Sequence, residues 1–183
     1  MLTYPSTERR PIPWKPINLN CDMNTSQPVD STGCCPPFDP AKWQDRELNW
    51  QNRPFVKGQV ISFMHIPLNM GKVIQRMWQQ VKAAGAEPEE FFILSHDVSH
   101  WKSEQYISVK KEVPGMDNVQ LSGTFLAKVF EGPYREARNW CAEMSRYVVA
   151  RNKEMKKLFF YYTTCPKCAK ARGKNYVVGV AQV

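Results

Sequence analysis

The chain of 183 residues carries 25 Lys and Arg against 17 Asp and Glu, a net charge of +8, with 43% apolar and 12% aromatic residues. That composition excludes a disordered chain, and the length suits one domain or two small, closely packed halves. No apolar run approaches the roughly 18–20 residues of a membrane span. The opening MLTYPSTERRPIPW has no apolar h-region, so the reading is a cytoplasmic protein with no membrane partner. In that compartment the six cysteines suit metal or redox chemistry better than a disulfide framework.

Residues 1–55 read as an arm, held extended or turning by Pro5, Pro11, Pro13, Pro16, Pro28, Pro36, Pro37, Pro40 and Pro54. Asp39-Pro40 suits the N-cap and first position of a short helix from Ala41 to about Leu48. Phe38, Trp14, Trp43 and Trp50 are too apolar for a free tail and should pack onto the rest of the chain. From Val56 the text becomes periodic. A strand over Lys57–Ile66 leads through Pro67 into a helix over Asn69–Ala84, whose stripe is Met70, Ile74, Met77, Trp78 and Val81. Strands come next at Phe91–Ser95 and Gln105–Val113.

The second half copies this order. Gly123–Glu131 is a strand, Gly132-Pro133 breaks it, and Tyr134–Ala150 is a helix with the stripe Ala137, Trp140, Cys141, Met144, Tyr147 and Val148. Leu158–Thr164 and Tyr176–Val183 form the last hairpin. An offset of 66 residues lays Pro67 on Pro133, Ile74 on Trp140, Trp78 on Met144 and Phe92-Ile93-Leu94 on Leu158-Phe159-Phe160. Chance alignment of apolar faces is the alternative to an internal duplication. The expected fold is therefore α+β: duplicated β-α-β-β units, 56–114 and 120–183, forming one antiparallel sheet with two helices on one face. A pseudo-twofold groove between the halves would be the natural small-molecule site.

Cys165-Pro166-Lys167-Cys168 falls at the tip of the last hairpin, where a C-x-x-C on a tight turn brings two thiolates to one metal ion. Four-coordinate zinc needs two more ligands, and Cys34 and Cys35 in the Pro-rich arm are the nearest in type. Cys21 or a histidine could replace one of that adjacent pair. The expected metal ligands are thus Cys34, Cys35, Cys165 and Cys168, holding a structural zinc that clamps the arm to the final hairpin. A bare dithiol and a redox pair are the alternatives. The redox pair is disfavoured because it wants its first cysteine at a helix N-terminus, where a turn is expected here.

His65 and Glu131 end equivalent strands, so across a twofold groove they could serve as catalytic acid and base; local capping is the alternative. His96, Asp97 and His100 suggest a second metal site, against which stands an ordinary polar loop. No Gly-x-Ser-x-Gly elbow, Walker loop or His-Glu-x-x-His occurs, so no nucleophile is named. Trp101, Tyr106, Trp140 and Tyr162 are the ligand-binding candidates among the aromatics.

The duplicated unit, with Lys128-Val129-Phe130-Glu131-Gly132-Pro133-Tyr134 entering its second helix, resembles the GyrI-like group over about residues 56–183. Those effector-binding domains share their architecture with SOUL-type haem-binding proteins, which makes haem a further implied ligand. The Cys-Cys-Pro-x-Phe arm together with the Cys-Pro-x-Cys hairpin resembles a bacterial subgroup labelled as hydrolases. The resemblance implies a domain that binds a small hydrophobic or cationic effector between aromatic walls and a groove carboxylate, with hydrolysis of the ligand in some members. The last strand, Tyr176–Val183, has no Asp or Glu, a departure from that pattern.

The rival class is a zinc-knuckle nucleic-acid-binding module. It is motivated by Arg146, Arg151, Lys153, Lys156, Lys157, Lys167, Lys170, Arg172 and Lys174 gathered around the C-x-x-C, with Glu154 as the acidic residue among them.

Overall fold

The structure is a computed structural model that describes residue 35, residues 38–63 and residues 66–183; His65, Cys21 and Cys34 lie outside the described residues. Its elements are β1 (Arg46–Phe63), β2 (Ile66–Pro67), α1 (Met70–Ala83), β3 (Ile93–Ser99), β4 (Lys102–Ser108), β5 (Asp117–Glu131), α2 (Ala137–Val149), β6 (Lys157–Tyr162), α3 (Pro166–Arg172) and β7 (Tyr176–Gln182). The α+β class is as expected, but two features differ from the sequence reading.

The first is where the sheet begins. β1 starts at Arg46, so the strand runs through the expected boundary between arm and domain at residues 55 and 56. The helix expected from Ala41 is only a 3-10 turn, Pro40–Lys42, whose N-cap Asp39 accepts the Ala41 amide at 3.1 Å. Asp45, at φ 54°, then turns the chain out of it. A register shift between Trp50 and Arg53 lets the long strand bend just before Pro54.

The second is closure. β1 pairs with β4 on one side and with β5 on the other, so the order β1-β4-β3-β6-β7-β5 closes on itself as a six-stranded antiparallel barrel. The single antiparallel sheet expected from the sequence is present, but it closes into a barrel, which the sequence reading did not include. β1 and β5 are 18 and 15 residues long, and they pair from Arg46 with Ala127 to Lys57 with Asp117. Each would otherwise leave a long row of unpaired amides and carbonyls, and closure removes both edges.

Strand alternation then sorts the side chains. Phe55, Phe92, Leu94, Phe125, Phe159, Val178 and Val180 point inward and fill the barrel, with Trp50 packed on Phe125 at a ring separation of 4.3 Å. The opposite residues of the same strands face outward to the helices. α1 buries Met77, Trp78 and Val81 against Val56 and Ile107. α2 buries Trp140, Met144, Tyr147 and Val148 against Leu126, Phe130, Val177 and Ala181. Both helices lie on the outer face, each over one half of the barrel wall.

One cross-strand row sets how closely the helices approach. Gly58 of β1 stands opposite Gln105 of β4, then Ser95 of β3, Phe160 of β6 and Gly179 of β7. The two glycines are the seats of the helices. A Cβ on Gly179 would stand 2.8 Å from Met144 Cγ and Sδ, and one on Gly58 would collide with the Met77 sulfur. Between the seats the row carries Gln105, Ser95 and Phe160.

The chain before β1 closes one end of the barrel. Trp43 packs edge-on to Phe92 at 5.6 Å and against Tyr161 at 5.5 Å, while Phe38 meets Tyr161 and Tyr176 at 6.2 and 5.8 Å. These partners lie where β3 and β7 begin and β6 ends, beside the connection that holds the C-x-x-C.

Candidate metal centre and ligand site

The connection from β6 to β7 is a short helix, not the tight turn expected. Pro166 follows Cys165 at the first helical position, and Gly173 ends α3 in the left-handed conformation, φ 65°. Cys165 is therefore an N-cap, and Cys168 lies on the first turn of α3. The ends of this excursion are fastened to the end of β5. Tyr134 donates to the Thr164 carbonyl at 2.7 Å, Thr164 to the Asn175 side chain at 2.8 Å, and Asn175 to the Gly132 carbonyl at 2.8 Å. Gly132-Pro133-Tyr134 is thus a bracket for the cysteine helix as well as a strand break.

Cys35 reaches the same place from the other end of the chain. The sulfurs of Cys35, Cys165 and Cys168 all lie within 4.8 Å of one another. Cys35 and Cys168 are buried and Cys165 is half-buried. The Cys165 amide donates to the Cys35 sulfur at 3.3 Å, and the Arg172 guanidinium donates to the Cys35 carbonyl. Tetrahedral zinc–sulfur bonds of about 2.3 Å place thiolates about 3.8 Å apart, so these three need only a small contraction to share one ion. The cluster is also electrostatically biased. The hydrogen bond from the Cys35 thiol, against the cost of burial and with help from the Cys168 and Lys167 amides, holds the Cys165 thiol well below its ordinary value. The same pairing and burial push the Cys35 thiol up.

Three of the four expected metal ligands are therefore brought together, and Cys34, the fourth, lies outside the described residues. Among the described residues no second group of three His, Cys, Asp or Glu side chains converges in this way. His96 instead bonds the Leu158 carbonyl through Nδ1 at 2.8 Å. The helix under Cys165 removes the ground on which a redox pair was disfavoured. The third sulfur, from a distant part of the chain, lies close enough to the other two for all three to bind one metal ion.

The expected ligand-binding aromatics occupy three separate environments. Trp140 and Tyr162 belong to the cluster under α2, linked through Phe160 at ring distances of 6.4 and 6.3 Å. Tyr106 lies on the other side of the barrel wall, inside, donating to Glu104 at 2.6 Å and accepting from Lys157 at 2.8 Å. Trp101 is on the β3–β4 turn, 57% exposed, edge-on to Phe63. Glu131, the expected catalytic carboxylate, is exposed at the end of β5, and His65 lies outside the described residues.

Sequence reasoning missed two polar groupings. One is the inward-facing network of Glu104, Tyr106, Lys157 and Lys57 at the end of the barrel opposite the cysteines, where Lys57 also pairs with Asp117 at 3.1 Å. Burial works against the Glu104 carboxylate, but the Tyr106 hydroxyl and the two lysines hold it below its ordinary value. The other is the outward-facing seam between the helices. Ser62, Ser95, Ser103 and Gln105 are all buried there, between the apolar clusters of α1 and α2. The signal was the alternation in Lys102–Ser108, which puts Ser103 and Gln105 on the same face as Ile107.

Residues 25–183 match the family profile described as Bacterial hydrolase, and the chain belongs to that family. No match is found among curated proteins. No helix among the described residues is long and apolar enough to cross a membrane.

Proposed function

We propose that the protein is a hydrolase that binds a small organic molecule in the seam between α1 and α2, in a domain fastened by a structural zinc ion. The zinc is held by Cys35, Cys165 and Cys168, with Cys34 as fourth ligand. An all-thiolate set with no neighbouring carboxylate or histidine among its described members suits a closed, structural site better than a catalytic one. Its work is mechanical: it ties Cys35, and so Phe38 and Trp43 a few residues on, to the bracketed hairpin at the barrel end.

The observation that carries the ligand site is the cross-strand row in which two glycine-seated helices flank Gln105, Ser95 and Phe160. Trp140 and Tyr162 supply an aromatic wall on the α2 side. The halves β1-α1-β3-β4 and β5-α2-β6-β7 take mirrored places about the β3–β6 pair. This supports descent from one duplicated unit and kinship with the GyrI-like domains, whose effectors are small hydrophobic or cationic molecules. Hydrolysis rests on the family to which the chain belongs.

The test is a salt-titrated binding comparison. A hydrophobic cation such as rhodamine 6G should bind saturably, with a Kd that changes less than about twofold between 50 and 300 mM salt. A nucleic-acid module would instead bind RNA or DNA with a steep salt dependence, because phosphate contacts release counterions. Steep salt-dependent binding of RNA with no dye binding would overturn the proposal.

A further inference from the structure

Gln105 is a polar side chain buried without full satisfaction. It is fully buried, and its Oε1 accepts the Ser95 hydroxyl at 2.6 Å. Its Nε2 has no hydrogen-bond partner among the described residues. A buried amide hydrogen left unpaired costs on the order of 1–3 kcal/mol, so such a group is met by an ordered water or by an atom of a ligand.

Its surroundings say what that partner looks like. In its row Gln105 is flanked by Gly58, over which Met77 of α1 lies, and by Ser95, whose next neighbour is the Phe160 ring. Phe160 packs against Trp140 and Tyr162. Next along the wall, Ser62 and Ser103 place their hydroxyls 3.5 Å apart. The donor thus lies two strands, about 10 Å, from the Phe160 ring, with Met77 over the glycine on its other side. Long, unbranched Met77 and Met144 sit at the two ends of the row, where they can re-pack around a guest. A planar apolar body has rings to lie on, and one hydrogen-bond acceptor on its edge would meet the waiting amide.

We infer that Gln105 is the specificity-determining residue of the interhelical seam, donating through Nε2 to the carbonyl oxygen of a planar aryl-carbonyl ligand. This rests on the seam being the ligand site, as proposed above. In a hydrolase the same donor would select esters, lactones or amides, because each presents such an oxygen. A site built to pair a polar group discriminates against an analogue lacking it, since the buried donor is then left unpaired.

The experiment uses two nearly isosteric probes, 2-acetylnaphthalene and 2-isopropenylnaphthalene, which differ by a carbonyl oxygen in place of a methylene carbon. Binding of each to the whole protein is measured by quenching of tryptophan fluorescence. The wild-type protein should prefer the ketone by about tenfold or more, beyond the difference in their partition from water. Gln105→Leu should bring that preference to about unity. Equal wild-type affinities for the two probes overturn the role of Gln105 while leaving the seam as a ligand site. Failure of both to bind overturns the seam itself, and the inference with it. The wild-type comparison stands even where the variant fails to fold.

Discussion

On the zinc clamp proposed above, Cys165→Ser should release the metal ion and lower the stability of the folded chain by several kcal/mol, the expected outcome when one ligand of a structural metal is removed. The size of the loss reflects what the ion holds. Cys35 is separated from Cys165 by most of the chain, and their meeting closes a loop whose entropy the unfolded state keeps. With the ion gone, the bonds that the Cys35 sulfur accepts from the Cys165 amide and the Cys35 carbonyl accepts from Arg172 have little to anchor them, and Phe38 and Trp43 lose the tether over Tyr161 and Tyr176. The variant should be zinc-free by elemental analysis and melt well below the wild type. Cys141→Ser, on α2 and outside the cluster, should leave both quantities unchanged. A variant that keeps the wild-type melting temperature would remove the structural role.

Phe159→Ala costs about 3–5 kcal/mol, the usual range for deleting a buried aromatic ring. Phe159 is fully buried in the barrel, edge-on to Tyr106 at 5.4 Å, with Phe125 at 6.4 Å and the His96 ring at 5.6 Å. Strands on opposite sides of the barrel hold those partners, so the vacancy cannot be filled by shifting one neighbour. Urea unfolding is the measurement. A loss below about 1 kcal/mol would mean that the interior is loosely filled and able to take a guest. The ligand site would then have to be sought inside the barrel, not in the seam outside it.

How much of this was legible in the residues depended on whether a pattern was local. The stripes Met77, Trp78, Val81 and Trp140, Met144, Tyr147, Val148 name the buried faces of α1 and α2 directly. The runs Lys157–Tyr162 and Tyr176–Gln182 read as strands because β-branched and aromatic residues dominate them. The first part of β1 did not, since Arg46–Arg53 reads RELNWQNR, mostly polar, and its pairing with β5 is a contact between distant parts of the chain. Without that stretch, barrel closure is invisible.

α3 was legible and overlooked: proline after Cys165 and glycine after Arg172 are the start and stop signals of a short helix. The convergence of the cysteines was readable as a need for further ligands beyond Cys165 and Cys168. The face of Gln105 was legible from its alternation with Ile107, but its burial was not. A glutamine between Glu104 and Tyr106 looks like a solvent-facing position until two helices close on either side of it.

The decisive measurement is zinc X-ray absorption on the chain purified from zinc-supplemented cells. About one zinc ion per chain, with at least three sulfur neighbours at about 2.3 Å, is the expected result. A chain without bound zinc, or zinc surrounded by nitrogen and oxygen alone, would contradict the structural clamp.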